Sequence, residues 1–226
     1  MSTGSHQSED SPRLVFPVGH YMGPFHPTLG GPPKHHIVRV GWNTPKLQDE
    51  AHFDIWALAH GLPAEMSTEP WTRQALIDAA DDAEKPGAAT ILDNLVELGL
   101  VVEVARGSDR AREFANSYCV RSLLMGLGNT REDPARDGIG IAGLPPILKV
   151  RPRVFEIWQW AHLWPTIWSA CEGIALVTNP VEGSGAEHAS PESVLDFMLD
   201  AFRDLISHGA IYLDLQTTTR RANTSD

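Results

Sequence analysis

The sequence predicts an α+β protein, rich in helix, in which two similar units stand in tandem and a helix joins them. The octapeptide FDIWALAH at 53–60 returns as FEIWQWAH at 155–162, and five of its eight positions are identical. The same order of helix and strand patterns surrounds each copy. A glycine ends the third predicted helix in both copies, at Gly99 and at Gly209. The repeated phrase therefore indicates a repeated fold.

The first unit is predicted over residues 35–105. It opens with the run HHIVRVG, whose alternation is typical of a strand. In the first helix, Phe53, Trp56 and His60 share one face at helical spacing, and Gly61 follows as a stop. The predicted elements are a strand at 35–41, a helix that opens at Asp49, helices at 72–80 and 88–98, and a strand at 100–104.

The second unit is predicted over residues 147–215 and repeats this order. Pro165 favours the start of a second helix, because proline is tolerated in the first turn. Ser190 before Pro191 is typical of a helix N-cap, and Gly209 ends the helix that follows. The predicted elements are a strand at 147–150, the helix that carries FEIWQWAH, a helix at 166–175, a helix from Ser190, and a strand at 210–215.

The remaining segments are predicted to be less regular. Residues 1–12 and 216–226 are polar, which indicates disordered tails. Residues 13–34 are rich in proline and glycine but also apolar, which predicts an irregular arm laid against the body. Residues 106–146 form a basic linker, in which we expect a helix over about 109–127 and then a loop.

Three helices with a strand before and a strand after resemble the winged helix-turn-helix fold. The resemblance covers about residues 35–105 and 147–215 and rests on the order and length of the elements. A narrower similarity concerns the PqqD-like peptide-recognition domains of peptide-modifying pathways, which have strands ahead of three helices. Ile55-Trp56 and Gly99-Leu100 match motifs of that family, as does Ile157-Trp158, whereas Gly209-Ala210 departs from it. This similarity implies that the partner is a precursor peptide or a modifying enzyme.

Composition and charge narrow the function classes. No apolar run approaches the ~20 residues that span a bilayer, and the polar N-terminus has no apolar core, so we expect a cytoplasmic protein without a membrane partner. The two cysteines, Cys119 and Cys171, lie in apolar surroundings and are expected to be buried thiols. The net charge is −11, with −8 over residues 51–105, +4 over 106–153 and −7 over 154–226.

The sequence shows no catalytic or metal-binding motif in a suitable structural context. The run GIGIAG at 138–143 matches a phosphate-binding pattern, but a polar loop precedes it and prolines follow, so we interpret it as a flexible turn. No zinc spacing and no nucleophile elbow is present. We therefore expect no enzyme activity and no cofactor. The alternative is an enzyme with an unrecognised histidine site at His20, His26 or the pair His35-His36. We expect His60 and His162 to bond the carbonyl groups at their helix ends.

Nucleic-acid binding is the runner-up function. A winged helix-turn-helix places its third helix in the major groove, but acidic side chains occupy both third helices here. We therefore expect no duplex binding through them. A DNA-binding regulator would use the basic central segment instead. Its candidate contacts are Arg106, Arg110, Arg112 and Arg121.

The favoured function is a non-enzymatic interaction module for a protein or peptide, whose partner is expected to be basic. Acidic residues at helical spacing form either a solvated face or a docking face, and the chain's own arginine-rich middle is one candidate partner. Trp160 replaces the smaller Leu58 of the first copy, so the second unit carries extra aromatic surface. We expect this surface to enlarge the core or to join the two units more readily than to bind an outside partner, for which such tryptophans would be hot spots. The candidate partner-binding residues are Asp93, Glu97, Trp160, Trp164, Asp196, Asp200 and Asp204.

Overall fold

The computed structural model describes residues 12–63, 69–178 and 189–216, and over these residues the protein is a mixed α+β chain. The predicted tails therefore lie almost entirely outside the described residues. The first half contains eight elements. They are β1 (Arg13–Pro17), β2 (His20–Phe25), β3 (His35–Arg39), β4 (Lys46–Leu47), α1 (Glu50–Leu58), α2 (Arg73–Asp82), α3 (Ala88–Glu97) and β5 (Val101–Ala105).

The second half opens with a helix and then repeats this order. Its elements are α4 (Asp109–Ser117), β6 (Tyr118–Ser122), β7 (Met125–Gly128), β8 (Asp137–Gly140), β9 (Leu148–Val150), α5 (Pro152–Ala161), α6 (Ile167–Thr178), α7 (Pro191–Ser207) and β10 (Ile211–Leu215). All strand pairs within the sheets are antiparallel.

Strand pairing is the same in the two halves. In the first half β1 pairs with β5, and β2, β3 and β4 form a three-stranded sheet. In the second half β6 pairs with β10, and β7, β8 and β9 form the corresponding sheet. Phe53 and Phe155 are each the fourth residue of the helix after that sheet. The repeating unit thus begins two strands earlier than predicted in the first half, at β1, and three strands earlier in the second half, at β6.

Local sequence signals explain where the helices begin and end. Asp49, Thr72, Ser108 and Ser190 are N-caps, and each side chain accepts a backbone N–H from the first turn of its helix. Gly99 and Gly209 follow α3 and α7 with φ angles of 67° and 64°, a conformation that favours glycine. The predicted starts of these four helices, and the predicted stops of α3 and α7, are confirmed within a few residues.

The arm at 13–34 was predicted to be irregular, and this was wrong. It contains β1 and β2, and its first strand pairs with β5 along its whole length. Its pairing partner β5 lies far along the chain, so no pattern among neighbouring residues predicts this pairing. Pro24 is tolerated because β2 is an edge strand of its sheet.

Two predictions about the central segment were also wrong. The helix expected over 109–127 ends at Ser117, and Tyr118–Ser122 is strand β6, which pairs with β10. The loop expected to contain GIGIAG instead holds β8 at the centre of a sheet. Gly138 and Gly140 fit closely there, since a Cβ atom would lie 3.0 Å from Pro146 and 3.1 Å from the Ile147 nitrogen.

Strand β1 joins two hydrophobic cores. Leu14 and Phe16 belong to the core of the second half, whereas Val15 belongs to that of the first half. Alternate side chains of a strand point to opposite faces, so one strand can serve both cores. Beyond β1, the Gly19 nitrogen donates to the Leu213 carbonyl of the second half at 2.8 Å. The two halves are therefore packed as one body.

Candidate binding groove

An apolar groove opens between α5, α6 and the start of α7 and encloses about 760 Å³. Its volume places it within the range of sites that hold small ligands. The apolar side chains along it are Ile157, Trp160, Trp164, Ile174, Val177 and Phe197.

Both candidate tryptophans lie in this groove. Trp160 is 49% exposed and Trp164 is 38% exposed, which is a large apolar surface to leave in water. The Trp164 indole lies against Gly173 of α6, where any side chain would overlap with the ring. Glycine at this position therefore sets the position of the indole along the groove wall.

The first half has different side chains at the positions that correspond to Trp160 and Glu156 of the groove. Leu58 stands where Trp160 stands in the second half. Asp54, the counterpart of Glu156, forms an ion pair with Lys85 at 2.5 Å. Glu156 lines the groove, is exposed, and has no ion-pair partner among the described residues. Glu156 was not among the residues predicted from the sequence, although its alignment with Asp54 in the repeated octapeptide could have indicated it.

One cation also borders the groove. The Arg153 guanidinium lies 4.3 Å from the centre of the Phe197 ring, within the range of a cation–π contact. This contact holds Arg153 over the groove wall, while the Glu156 side chain is exposed. The groove thus offers apolar walls, two indole rings and a free carboxylate.

The acidic candidates of α7 face the chain's own basic segment. Asp200 forms an ion pair with Arg106, and an oxygen of Asp196 accepts the Gly107 N–H at 3.3 Å. Asp204 lines a separate cavity at the junction of the halves. Arg106 of the central basic segment thus supplies a partner for this acidic ladder within the chain, which is one of the two alternatives predicted from the sequence.

The acidic candidates of α3 are not part of the groove lining. Asp93 forms an ion pair with Arg73 of α2 at 2.8 Å, so its carboxylate is partly neutralised. Glu97 is exposed at the end of α3. The structure therefore does not bring the α3 acids and the two tryptophans together into one site.

The four candidate nucleic-acid contacts do not form one surface. Arg106 pairs with Asp200, and Arg112 lies 4.3 Å from the Trp168 ring and 4.0 Å from Glu192. Arg110 is exposed on α4, and Arg121 lies in β6. Two of the four arginines are thus directed at α6 and α7.

The candidate histidines His26 and His36 contact different groups. His36 is buried, and its ring contacts the Tyr21 hydroxyl at 2.8 Å, Glu50 at 3.0 Å and the face of Phe53 at 4.1 Å. His26 contacts the Gly31 carbonyl. Within the described ranges, no group of three or more His, Cys, Asp or Glu residues is placed to hold a metal ion.

His60 and His162 bond the ends of their helices, as predicted. The Nδ1 atom of His60 lies 3.2 Å from the Trp56 carbonyl oxygen and 3.1 Å from that of Ala57. His162 Nδ1 lies 3.4 Å from the Trp158 carbonyl oxygen. Each imidazole thus supplies a donor to carbonyl groups at the C-terminal end of its helix.

Both cysteines are buried and unpaired, which confirms the expectation of buried thiols. Burial raises the pKa of Cys171 to about 12 and also raises the pKa of Cys119. Because the thiolate is the nucleophilic form, neither side chain is activated for attack.

No protein-family model, no curated protein and no solved structure matches the chain. In the part of the chain that the structure describes, no helix combines the length and the apolar character needed to cross a membrane.

Proposed function

We propose that the protein is a non-enzymatic interaction module, built from two winged-helix-like repeats, that binds an apolar and basic peptide segment of a partner. The observation that carries this proposal is the exposure of Trp160 and Trp164 in the groove on the second half. Large aromatic side chains in a concave apolar site are the residues that dominate binding energy at interfaces. The PqqD-like similarity supports a peptide, either a precursor or part of a modifying enzyme, as the partner.

Charge supports a basic partner. Residues 154–226 carry a balance of −7, and Glu156 stands unpaired at the groove. A lysine or arginine beside the apolar side chains of the peptide would pair with this carboxylate. The negative potential would also speed the encounter with a positively charged segment.

The regulator alternative receives less support. The third helices α3 and α7 are acidic, and a DNA backbone would be repelled by them. Arg106 and Arg112, two of the four candidate contacts, already face carboxylates of α7. Nucleic acid would have to displace these contacts before it bound.

Selection of a random peptide library against the whole protein tests the proposed function. We expect enriched peptides to combine aromatic or aliphatic residues with lysine or arginine. Trp160→Ala and Trp164→Ala should each weaken binding by about 30-fold, since truncating an interface hot spot costs about 2 kcal/mol. Glu156→Gln should weaken binding less and reduce its dependence on salt.

Trp42 provides the matched control, because its side chain is 85% exposed on the first half and lies outside the groove. Trp42→Ala should leave peptide binding unchanged. Gly173→Ala is a second probe, since the added methyl group displaces the Trp164 indole without removing it. Peptides that bind equally well to the Trp160 and Trp164 variants would show that the groove is not the site.

A further inference from the structure

Strand β7 is an outer strand of its sheet. The strand order is β7, β8 and β9, so β7 pairs with β8 on one side. Within the described residues, no strand pairs with its other side. An outer strand presents a row of backbone N–H and C=O groups that a further strand can bond. The sheet of the second half can therefore be extended at β7.

The other outer strands of the three-stranded sheets are protected against such pairing. Pro24 lies in β2 and lacks the N–H group that a neighbouring strand would bond. Lys46 in β4 and Lys149 in β9 are exposed, and a lysine on an outer strand opposes the approach of a second sheet. By contrast, the sequence MGLG of β7 contains neither a proline nor a charged residue. A register irregularity occurs in both β2 and β7, so it does not distinguish them.

Exposed apolar side chains lie at one end of this sheet. Met125 begins β7 and is 57% exposed. The next residue, Gly126, faces α5, because a Cβ atom there would lie 2.9 Å from the Phe155 ring. Since alternate side chains of a strand point to opposite faces, Met125 lies on the face away from α5. The turn from β8 to β9 adds further exposed apolar side chains at this end, namely Ile141, Leu144 and Ile147.

The charge of this region favours a second copy of the chain as the partner. The net charge of the protein is −11, which opposes self-association over most of the surface. Residues 123–150 carry three basic and three acidic side chains, a balance of zero, so the whole of the −11 lies elsewhere. Residues 138–148, which include the turn, carry no charged side chain. Two copies that meet here therefore bring together the least charged part of each.

We propose that two copies of the protein associate through β7. The two β7 strands pair in antiparallel fashion about a two-fold axis, which joins the two three-stranded sheets into one sheet of six strands. A two-fold axis places the same surface on both sides of the contact, and the uncharged β7 is compatible with itself. This inference does not depend on the peptide groove, because no residue of β7 lines that groove.

Light scattering after size-exclusion chromatography of the full chain tests the association. One chain has a mass of 24.8 kDa, and we expect the measured mass to rise toward twice this value with increasing concentration. The midpoint should fall between about 1 µM and about 1 mM, because two short strands and a small apolar patch form a small interface.

Met125→Lys gives β7 the protection that β4 and β9 already have. We expect it to weaken the association at least about tenfold, since two like charges then lie close together at the contact. Met22→Lys is the matched control, because Met22 is 55% exposed in β2, the strand of the first half that corresponds to β7. It should leave the association unchanged, and so should Trp160→Ala in the groove. Circular dichroism checks that each variant is folded.

Amide hydrogen exchange of the unaltered protein locates the contact. Exchange over Met125–Gly128 should be slower at high than at low protein concentration, because the paired strand is protected in the dimer. Exchange over His20–Phe25 should be the same at both concentrations.

Association that Met125→Lys weakens and Met22→Lys preserves, together with concentration-dependent protection of β7, supports the proposal. A mass of one chain at every concentration overturns it, and so does association that Met125→Lys leaves unchanged. Loss of association in the Trp160→Ala variant would place the contact at the groove and overturn it as well. A mass above that of two chains overturns the two-fold pairing.

Discussion

The guanidinium of Arg39 in β3 and the carboxylate of Asp214 in β10 form an ion pair of 3.1 Å between the two halves of the protein. Asp214 is only 2% exposed, and its second oxygen accepts the Gly41 N–H at 2.6 Å. Arg39 also bonds the Tyr212 hydroxyl of β10. A single buried carboxylate thus ties β10 to the sheet of β2, β3 and β4.

Replacing Asp214 by Asn should destabilise the protein by about 3 kcal/mol, since it leaves Arg39 without its buried counter-charge. Urea unfolding measures this change. The Lys149–Asp133 pair serves as control, because both of its side chains are more exposed. Asp133→Asn should cost less than about 1 kcal/mol. Similar losses for the two variants would contradict a special role for the buried pair.

Phe16 in β1 should contribute more to stability than its place in an N-terminal arm indicates. Its side chain is 3% exposed and packs against the rings of Phe114 and Phe202 in the second half. We expect Phe16→Ala to lower the free energy of unfolding by about 3–5 kcal/mol. Phe25→Ala, in the exposed part of β2, should change it by less than about 1 kcal/mol. Equal urea midpoints for the two variants would show that β1 does not join the cores.

The free energy of unfolding should fall when the pH drops below about 6.5. His60 then takes up a proton in the unfolded chain more readily than in the folded protein, because burial lowers its pKa. Burial lowers the folded pKa of His60, so the contribution of its neutral ring is complete above the unfolded pKa. That contribution is lost as the pH falls through about 6.5 toward the folded pKa. We expect His60→Gln to show a smaller loss of stability between about pH 7 and pH 5.5 in urea titrations. His26→Gln is the control, because His26 is exposed. If His60→Gln lost as much stability between these pH values as the wild-type protein does, His60 would not be the group responsible.

Local chemistry allowed the sequence to determine the helices. Caps such as Ser190 and stops such as Gly209 act within one turn, so their effect can be predicted from neighbouring residues. The repeated octapeptide likewise predicted that α1 and α5 occupy equivalent places, and the contacts of His60 and His162 follow from that position. Trp160 and Trp164 could be proposed as binding residues because an exchange of Leu58 for Trp160 is visible between the copies.

Only the tertiary structure decided which strands pair and which charged groups stay free. β1 and β6 each pair with a strand that follows about ninety residues later, and such pairing depends on the whole fold rather than on local preference. The same packing brings Arg106 onto Asp200 and leaves Glu156 without a partner among the described residues. It also places Trp56 and Tyr212 in one cavity. Contacts between residues far apart in sequence carry no periodic signal, so the sequence determined the parts of this protein and the packing of its two halves determined its sites.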